Sequence, residues 1–161
     1  MPDVTIRQAT LADLDQLLRW REEVLRCVFS LSTDTDTTVL RQANEAYYRC
    51  QLPTEGHIAC FAYTDGGAEP IGCGGLCLHE EMPSPDNPTG HCAYLMNIYV
   101  RPSCRGQHVG RHIVRWLVGQ ALSRGITKIY LETSEPGRRL YKSLGFGNMK
   151  DMMCLSFEEN L

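Results

Sequence analysis

The stretch from Met96 to Phe146 constrains the fold most. Leu95-Met96-Asn97-Ile98-Tyr99-Val100 reads as a strand and runs into Arg101-Pro102-Ser103-Cys104. A turn follows, Arg105-Gly106-Gln107-His108-Val109-Gly110-Arg111. Ile113, Leu117 and Ala121 then recur at helical spacing, joined by Val114, Trp116 and Leu122. Gly125 ends that helix as a C-cap glycine does, and Lys128 to Glu132 reads as a strand again. A strand, a helix and a strand in this order form a crossover, which places helices on the face of a sheet.

The remaining pattern supplies the rest of that sheet. Val4 to Arg7 reads as a first strand, and Thr10-Leu11-Ala12-Asp13 has the form of a capping box. A helix is expected next, with Leu14, Leu17, Leu18, Val24, Leu25 and Val28 on its apolar turns. A Ser/Thr/Asp-rich loop over Ser30–Thr38 separates it from a second helix that runs to about Cys50. Strands are expected over His57–Tyr63 and Pro70–Leu78, linked as a hairpin by Asp65-Gly66-Gly67. Glu80 to Gly90 holds Pro83, Pro85 and Pro88 and reads as an irregular loop. Ala93–Val100 is the strand before the glycine turn, and Val109–Arg124 the helix after it. Pro136–Leu144 is a short helix with proline in its first turn and Gly145 as its cap, and Met149–Phe157 is expected to close the chain as a strand. The predicted order is β-α-α-β-β-β-α-β-α-β: an α/β (α+β) fold with a mixed, largely antiparallel sheet. No repeat or linker divides it, so residues 1–161 are expected to form a single domain.

Composition narrows the function. The 161 residues are 43% hydrophobic and 22% charged, enough for one sizeable core. Eight cysteines are present, none in a C-x-x-C, and several lie inside apolar runs such as Ala59-Cys60-Phe61. They read as small buried hydrophobes rather than as metal ligands or redox pairs. With free thiols and no basic-then-apolar leader after Met1, a cytoplasmic location is expected. No apolar run is long enough to span a bilayer. The formal charge of −3 is unevenly divided: residues 1–90 carry 6 Lys+Arg against 14 Asp+Glu, and residues 91–161 carry 10 against 5. The second part suits a polyanionic ligand and the first a cation. The basic part lacks a dense Lys/Arg block, which argues against nucleic acid.

A glycine-bearing turn that opens a helix points several main-chain N–H groups at one place, with the positive end of the helix dipole behind them. Arg105 and Arg111 bracket it. A pyrophosphate fits that arrangement. The spacing is not that of a dinucleotide fingerprint. Nor is it a P-loop, since Gly110 is followed by Arg111-His112.

The second motif is Leu140-Tyr141-Lys142-Ser143-Leu144-Gly145-Phe146, after Glu132-Thr133-Ser134-Glu135-Pro136-Gly137. The two motifs, in this order and at this separation, resemble the GNAT superfamily of acetyl-coenzyme-A-dependent N-acetyltransferases. The resemblance is firm over residues 94–157 and looser over 1–93. It implies a GNAT-like fold, acetyl-CoA as co-substrate and no metal. It implies that the Arg105–Arg111 turn (Gly106, Gln107, His108, Val109 and Gly110 included) holds the pyrophosphate through main-chain amides. It implies that the strand at Asn97–Val100, with Ile98 and Tyr99, splays from its neighbour and bonds the pantetheine arm. Tyr141 falls on the family tyrosine that protonates the departing thiolate. This chain departs from the pattern at His108, where the family has glycine, and at Ser134, where it often has asparagine.

Acyl transfer to an amine needs a neutral nucleophile, two substrates held together, a polarised carbonyl and a proton for the thiolate. The N–H of Ile98 is the candidate donor to the carbonyl. A tyrosine, with pKa near 10, keeps its proton to give. Glu132 is a candidate base, and Asn97 can orient a water. Glu22 and Glu23 on the first helix, with His91 and Tyr94 on the strand before the turn, are candidates to face the acceptor, a small-molecule or peptide amine that the acidic part would favour as a cation. The same fold without turnover, an acyl-CoA sensing module, is the other reading that His108 leaves open. Pairing into a homodimer is expected from the resemblance alone.

Overall fold

The computed structural model describes residues 4–150 and 152–155. Its elements are β1 (Val4–Gln8), α1 (Leu14–Val28), α2 (Thr38–Gln51), β2 (His57–Thr64), β3 (Gly72–Glu80), β4 (His91–Val100), α3 (Val109–Ser123), β5 (Lys128–Leu131) and α4 (Glu135–Ser143). Short 3-10 turns precede α1 at Leu11–Asp13 and α3 at Pro102–Cys104. The Thr10/Asp13 capping box forms, with the Thr10 N–H donating to Asp13 Oδ2 at 2.9 Å.

The strands lie in the order β1-β2-β3-β4-β5. The first four pair antiparallel, and β4 pairs parallel with β5 across the α3 crossover. Both faces are covered. On one, Val109, Ile113, Val114, Leu117 and Ala121 of α3 pack on Ile58, Cys60, Ala62, Leu76, Ala93 and Leu95. On the other, Leu14, Leu17, Leu18, Trp20 and Val24 of α1 and Tyr48 of α2 pack on Ala59, Phe61, Cys73 and Tyr99. Alternate residues of β2 feed opposite cores, which is why it reads as one unbroken apolar run. Each fully buried aliphatic side chain here contributes roughly 1.5–3 kcal/mol.

The glycines of β3 set the spacing on both faces. A Cβ at Gly74 would lie 2.5 Å from Ile113 Cγ2, so α3 can approach only a bare backbone. A Cβ at Gly75, on the other face, would lie 2.7 Å from His57 Nε2, so the buried imidazole can approach only a bare backbone there.

The final strand expected over Met149–Phe157 does not form among its described residues: Met149, Lys150 and residues 152–155 are in no strand. Residues 151, 156 and 157 of that span lie outside the described residues. The physical reason is the lack of a ladder and of a core. Met153 is 98% exposed and Leu155 78%, so among the described residues this segment neither pairs nor buries its apolar side chains, and an unpaired strand has no stability of its own.

Candidate active site

Three local devices meet at the C-terminal end of β4. The first is a bulge. Gly75 pairs with Met96 and Cys73 with Tyr99, so Asn97 and Ile98 together oppose Gly74. Asn97 takes the left-handed conformation (φ 57°), which asparagine tolerates better than most residues. The extra residue reverses the alternation. Ala93 and Leu95 face α3 before it, Ile98 and Val100 after it, and Tyr99 turns to the α1 side. The second device is the end of pairing with β5. The ladder stops at Leu95↔Leu131, while β4 runs on to Val100. The two parallel strands part there, and the outer edge of β4 is left open over Asn97–Val100. The side chain of Tyr99 is buried against Trp20, at 6.2 Å between ring centroids, so its main chain is what that edge offers.

The third device is the turn. Gly106 (φ 78°) and His108 (φ 61°) are both left-handed, and His108 is the N-cap residue of α3. Among the described residues, the main-chain N–H groups from Gly106 to Arg111 donate to no protein acceptor, whereas the N–H of His112 already bonds the His108 carbonyl at 3.2 Å. Consecutive donors at a helix start make an anion cradle. Arg105 folds back, with Nε donating to the Val100 carbonyl at 3.0 Å. Val109 is buried and contributes main chain alone; Gln107 is exposed.

The second sequence motif packs onto this turn. A Cβ on Gly110 would lie 3.2 Å from Leu140 Cδ2, and Arg111 Nη2 donates to Ser143 Oγ at 2.9 Å. Gly145 (φ 94°) reverses the chain after α4, and the Phe146 N–H bonds the Tyr141 carbonyl at 3.1 Å. That reversal lays Phe146 edge-on against Tyr141, with ring centroids 5.8 Å apart. Burial, with a smaller contribution from Tyr94, pushes the Tyr141 phenol up to about 12. Its proton therefore stays in place through the neutral range. Ser134 caps α4 without a side-chain bond of its own. A cleft of about 970 Å³ runs along β5 and α4, lined by Glu132, Thr133 and Tyr141 among others.

The expected acceptor residues divide. Tyr94 is half-buried in the middle of β4, 5.3 Å from the Tyr130 ring, and its phenol is raised by burial and then by Glu132. It therefore sits with Glu132 and Tyr141. His91 is exposed at the far end of β4, 3.4 Å from Glu80 and away from the bulge. Glu22 accepts from Thr37 Oγ1 (2.9 Å) and Arg26 Nη2 (3.0 Å), with Arg41 at 3.9 Å. These partners, the Thr37 hydroxyl first, hold its carboxyl below the usual range. Glu23 pairs with Arg101 at 3.2 Å, and that guanidinium stacks 4.5 Å from the Trp20 ring. Both acids tie α1 to its neighbours.

Residues not singled out from the sequence line the α1/α2 side of the bulge. Arg21 donates to Asn97 Oδ1 at 2.9 Å and to Asn44 Oδ1 at 3.2 Å. His57 is 3% exposed, with Nδ1 3.1 Å from Tyr47 Oη, and burial drives its pKa down to about 4. The sequence carried one signal for Arg21. It stands on the helical stripe of Leu14, Leu17, Leu18, Val24 and Leu25, where an apolar residue is expected.

Among the described residues no cluster of His, Cys, Asp or Glu is arranged to hold a metal ion. Likewise, no helix is long and apolar enough to cross a membrane.

Residues 15–146 match the model of the acetyltransferase (GNAT) family. Over 75 residues the chain is 33% identical to a thialysine N-epsilon-acetyltransferase of Bos taurus, covering 43% of this chain and 44% of that protein. Its counterpart in Sus scrofa is 31% identical over 91 residues, 43% of this chain and 54% of that protein. The chain thus spans about half the length of the curated relatives it matches. A predicted acetyltransferase from Clostridium acetobutylicum, solved with acetyl-CoA, superposes with a TM-score of 0.83 at 24% identity, covering 96% of each chain.

Proposed function

Because this chain belongs to the acetyltransferase (GNAT) family, we propose that it is an N-acetyltransferase, acting as one domain, that moves the acetyl group of acetyl-CoA to a primary amine of a small molecule or peptide. The amine attacks directly, with both substrates bound. The observation that carries this reading is the row of unpartnered main-chain N–H groups from Gly106 to Arg111, set beside an open strand edge and packed against the helix that bears Tyr141.

The donor set fits coenzyme A. Main-chain N–H groups and the start of α3 suit a pyrophosphate, and the open edge of β4 at Ile98–Val100 suits an amide-bearing arm, which can add to it as a strand would. Acetyl-CoA supplies the activated acetyl group. The chain's residues do the rest. Arg105, Gly106, Gln107, His108, Val109, Gly110 and Arg111 hold the phosphates, and Ser134 lies where the arm passes α4. The Ile98 N–H, next to the bulge, polarises the carbonyl oxygen. Tyr141, kept protonated by burial, gives its proton to the departing sulfur. Glu132 takes the proton of the amine, directly or through a water oriented by Asn97. Tyr94 borders the acceptor, and Glu22 and Glu23 brace its wall. The names of the curated relatives support an ε-type side-chain amine as acceptor. The free state of Cys27, Cys50, Cys60, Cys73, Cys77, Cys92, Cys104 and Cys154 supports a reducing, cytoplasmic setting. Homodimer formation, checked by light scattering, belongs to this same reading.

Following thiol release from acetyl-CoA with a panel of primary amines tests the assignment. The second reading, acyl-CoA binding without turnover, has one observation in its favour, the bulky His108 side chain on the cofactor turn. Calorimetry with acetyl-CoA beside the thiol assay separates the two.

A further inference from the structure

We propose that Arg21 is the docking point for an anionic group on the acceptor, so that the preferred amine also carries a carboxylate. This inference rests on the acyl-transfer reading and deepens it by naming the acceptor class.

Arg21 differs from the other arginines around the α1/α2 wall. Arg26 and Arg41 meet Glu22, and Arg101 meets Glu23. Among the described residues Arg21 has no carboxylate within salt-bridge distance. Its Nε and Nη1 are held by amide oxygens, Asn44 Oδ1 and Asn97 Oδ1, and its Nη2 donates to no protein atom. A guanidinium offers five N–H donors in a planar fork. Amide oxygens orient that fork but leave its charge uncompensated.

The surrounding groups leave it uncompensated as well. From β2, His57 stays neutral because burial, then Arg21 itself, lowers its pKa. From α2, the phenols of Tyr47 and Tyr48 are raised by burial and remain uncharged. From β3, the Cys73 thiol is raised for the same reason, and Cys77 lies beside Tyr47. From α1, Glu23 is committed to Arg101, and Glu22, which lines the same pocket as Arg21, to Thr37, Arg26 and Arg41. At Arg21 the wall therefore carries a half-buried positive charge with a free donor, fixed to the residue that forms the bulge. A partly desolvated cation attracts a carboxylate strongly and binds it bidentately where geometry allows. Its bond to Asn97 ties Arg21 to the residue next to Ile98. An amino acid with a terminal amine can place its carboxylate on Arg21 and its amine at the acetyl group. A polyamine would meet repulsion at the same point.

The test compares L-thialysine, its carboxamide and its decarboxylated diamine as acceptors at saturating acetyl-CoA. Wild-type protein is expected to favour the carboxylate form about ten- to hundredfold in kcat/KM, mostly through KM. Arg21→Gln should abolish that preference, with the loss falling on the carboxylate form, and Arg21→Lys should keep part of it. Asn44→Asp keeps an oxygen acceptor on Arg21 Nε and compensates its charge, and should erode the preference for the carboxylate form. Equal use of all three amines by wild-type protein overturns the proposal. So does a uniform loss in Arg21→Gln, which would mark Arg21 as a brace for the bulge. If no amine turns over, calorimetry of L-thialysine on the acetyl-CoA complex decides. Arg21-dependent binding keeps the docking site and removes the acyl-transfer reading, and Arg21-independent or absent binding removes the docking site.

Discussion

The two sides of the β4 bulge are built from different materials. On the side proposed for the cofactor the donors are main-chain N–H groups, from Ile98 and from Gly106 to Arg111, and their placement follows from local turns, a bulge and a helix start. On the side proposed for the acceptor the wall is made of side chains whose pairing and burial depend on tertiary neighbours: Arg101 pairs with Glu23, Arg21 holds Asn97, and His57 is kept neutral by burial. Main-chain donors keep their character whatever surrounds them. Whether a side chain's charge is compensated, or suppressed by burial, is settled only when its tertiary neighbours are in place.

Tyr141 tests the cofactor side where the effect should be largest. Tyr141→Phe removes the phenolic proton and keeps the packing on Phe146. Turnover is expected to fall about 100-fold or more, with the acetyl-CoA dissociation constant within about twofold of wild type. Because the phenol titrates only near 12, the wild-type rate should show no alkaline fall from this group below about pH 11. Turnover within threefold of wild type would remove the assigned role.

His57 tests the acceptor side. Its folded pKa of about 4 lies below the unfolded value of 6.5, so the unfolded chain binds more protons between them. The neutral ring's contribution is fully present above pH 6.5 and is lost as pH falls toward 4. Its size is about 3 kcal/mol, an upper bound for so buried a group. Denaturation from pH 7.5 to 4.5 should show stability dropping steeply below pH 6.5, with the slope flattened in His57→Gln. A wild-type profile without that drop would mean that the imidazole is protonated or solvated in the fold.

How much of this was legible follows the same division. Gly125, Gly145, the Thr10/Asp13 box and the Arg105–Gly110 turn speak through neighbours a few residues away, and the elements they bound appear within about two residues of expectation. The bulge at Asn97 carried no signal, because it arises from the register of β3 against β4. The charge asymmetry suggested acids free to meet a cation, yet Glu22 is taken by Arg26 of its own helix and Arg41 of α2, and Glu23 by Arg101. Arg21 was visible as a charged residue on an apolar stripe, but its meaning depended on Asn44 and Asn97. Met149–Phe157 read as a strand by composition, and composition does not say whether a partner edge is within reach.

His108 is the point where the local device is imperfect. A side chain in the left-handed region costs roughly 1 kcal/mol or slightly more, and glycine removes that cost while adding unfolded-state entropy. His108→Gly is therefore expected to gain at most about 1 kcal/mol in stability, read as a small rise in melting temperature. Acetyl-CoA binding should hold or tighten slightly, with turnover within a few-fold. A gain in turnover of tenfold or more would instead favour the reading in which His108 suppresses catalysis.

The smallest expected effect separates bracing from substrate contact at Glu22. Its carboxylate is about one-third exposed and shared among Thr37, Arg26 and Arg41. Glu22→Gln keeps the hydrogen-bonding shape and removes the charge, so stability should fall by less than about 1 kcal/mol, as for other solvent-screened ion pairs. The loss should shrink further in added salt. The KM for amine acceptors should change by less than about threefold, because Glu22 has its positive partners already. A tenfold rise in KM for every cationic amine would show that Arg26 and Arg41 release the carboxylate when the acceptor arrives, and would make the acidic face of α1 a second recognition surface opposite Arg21.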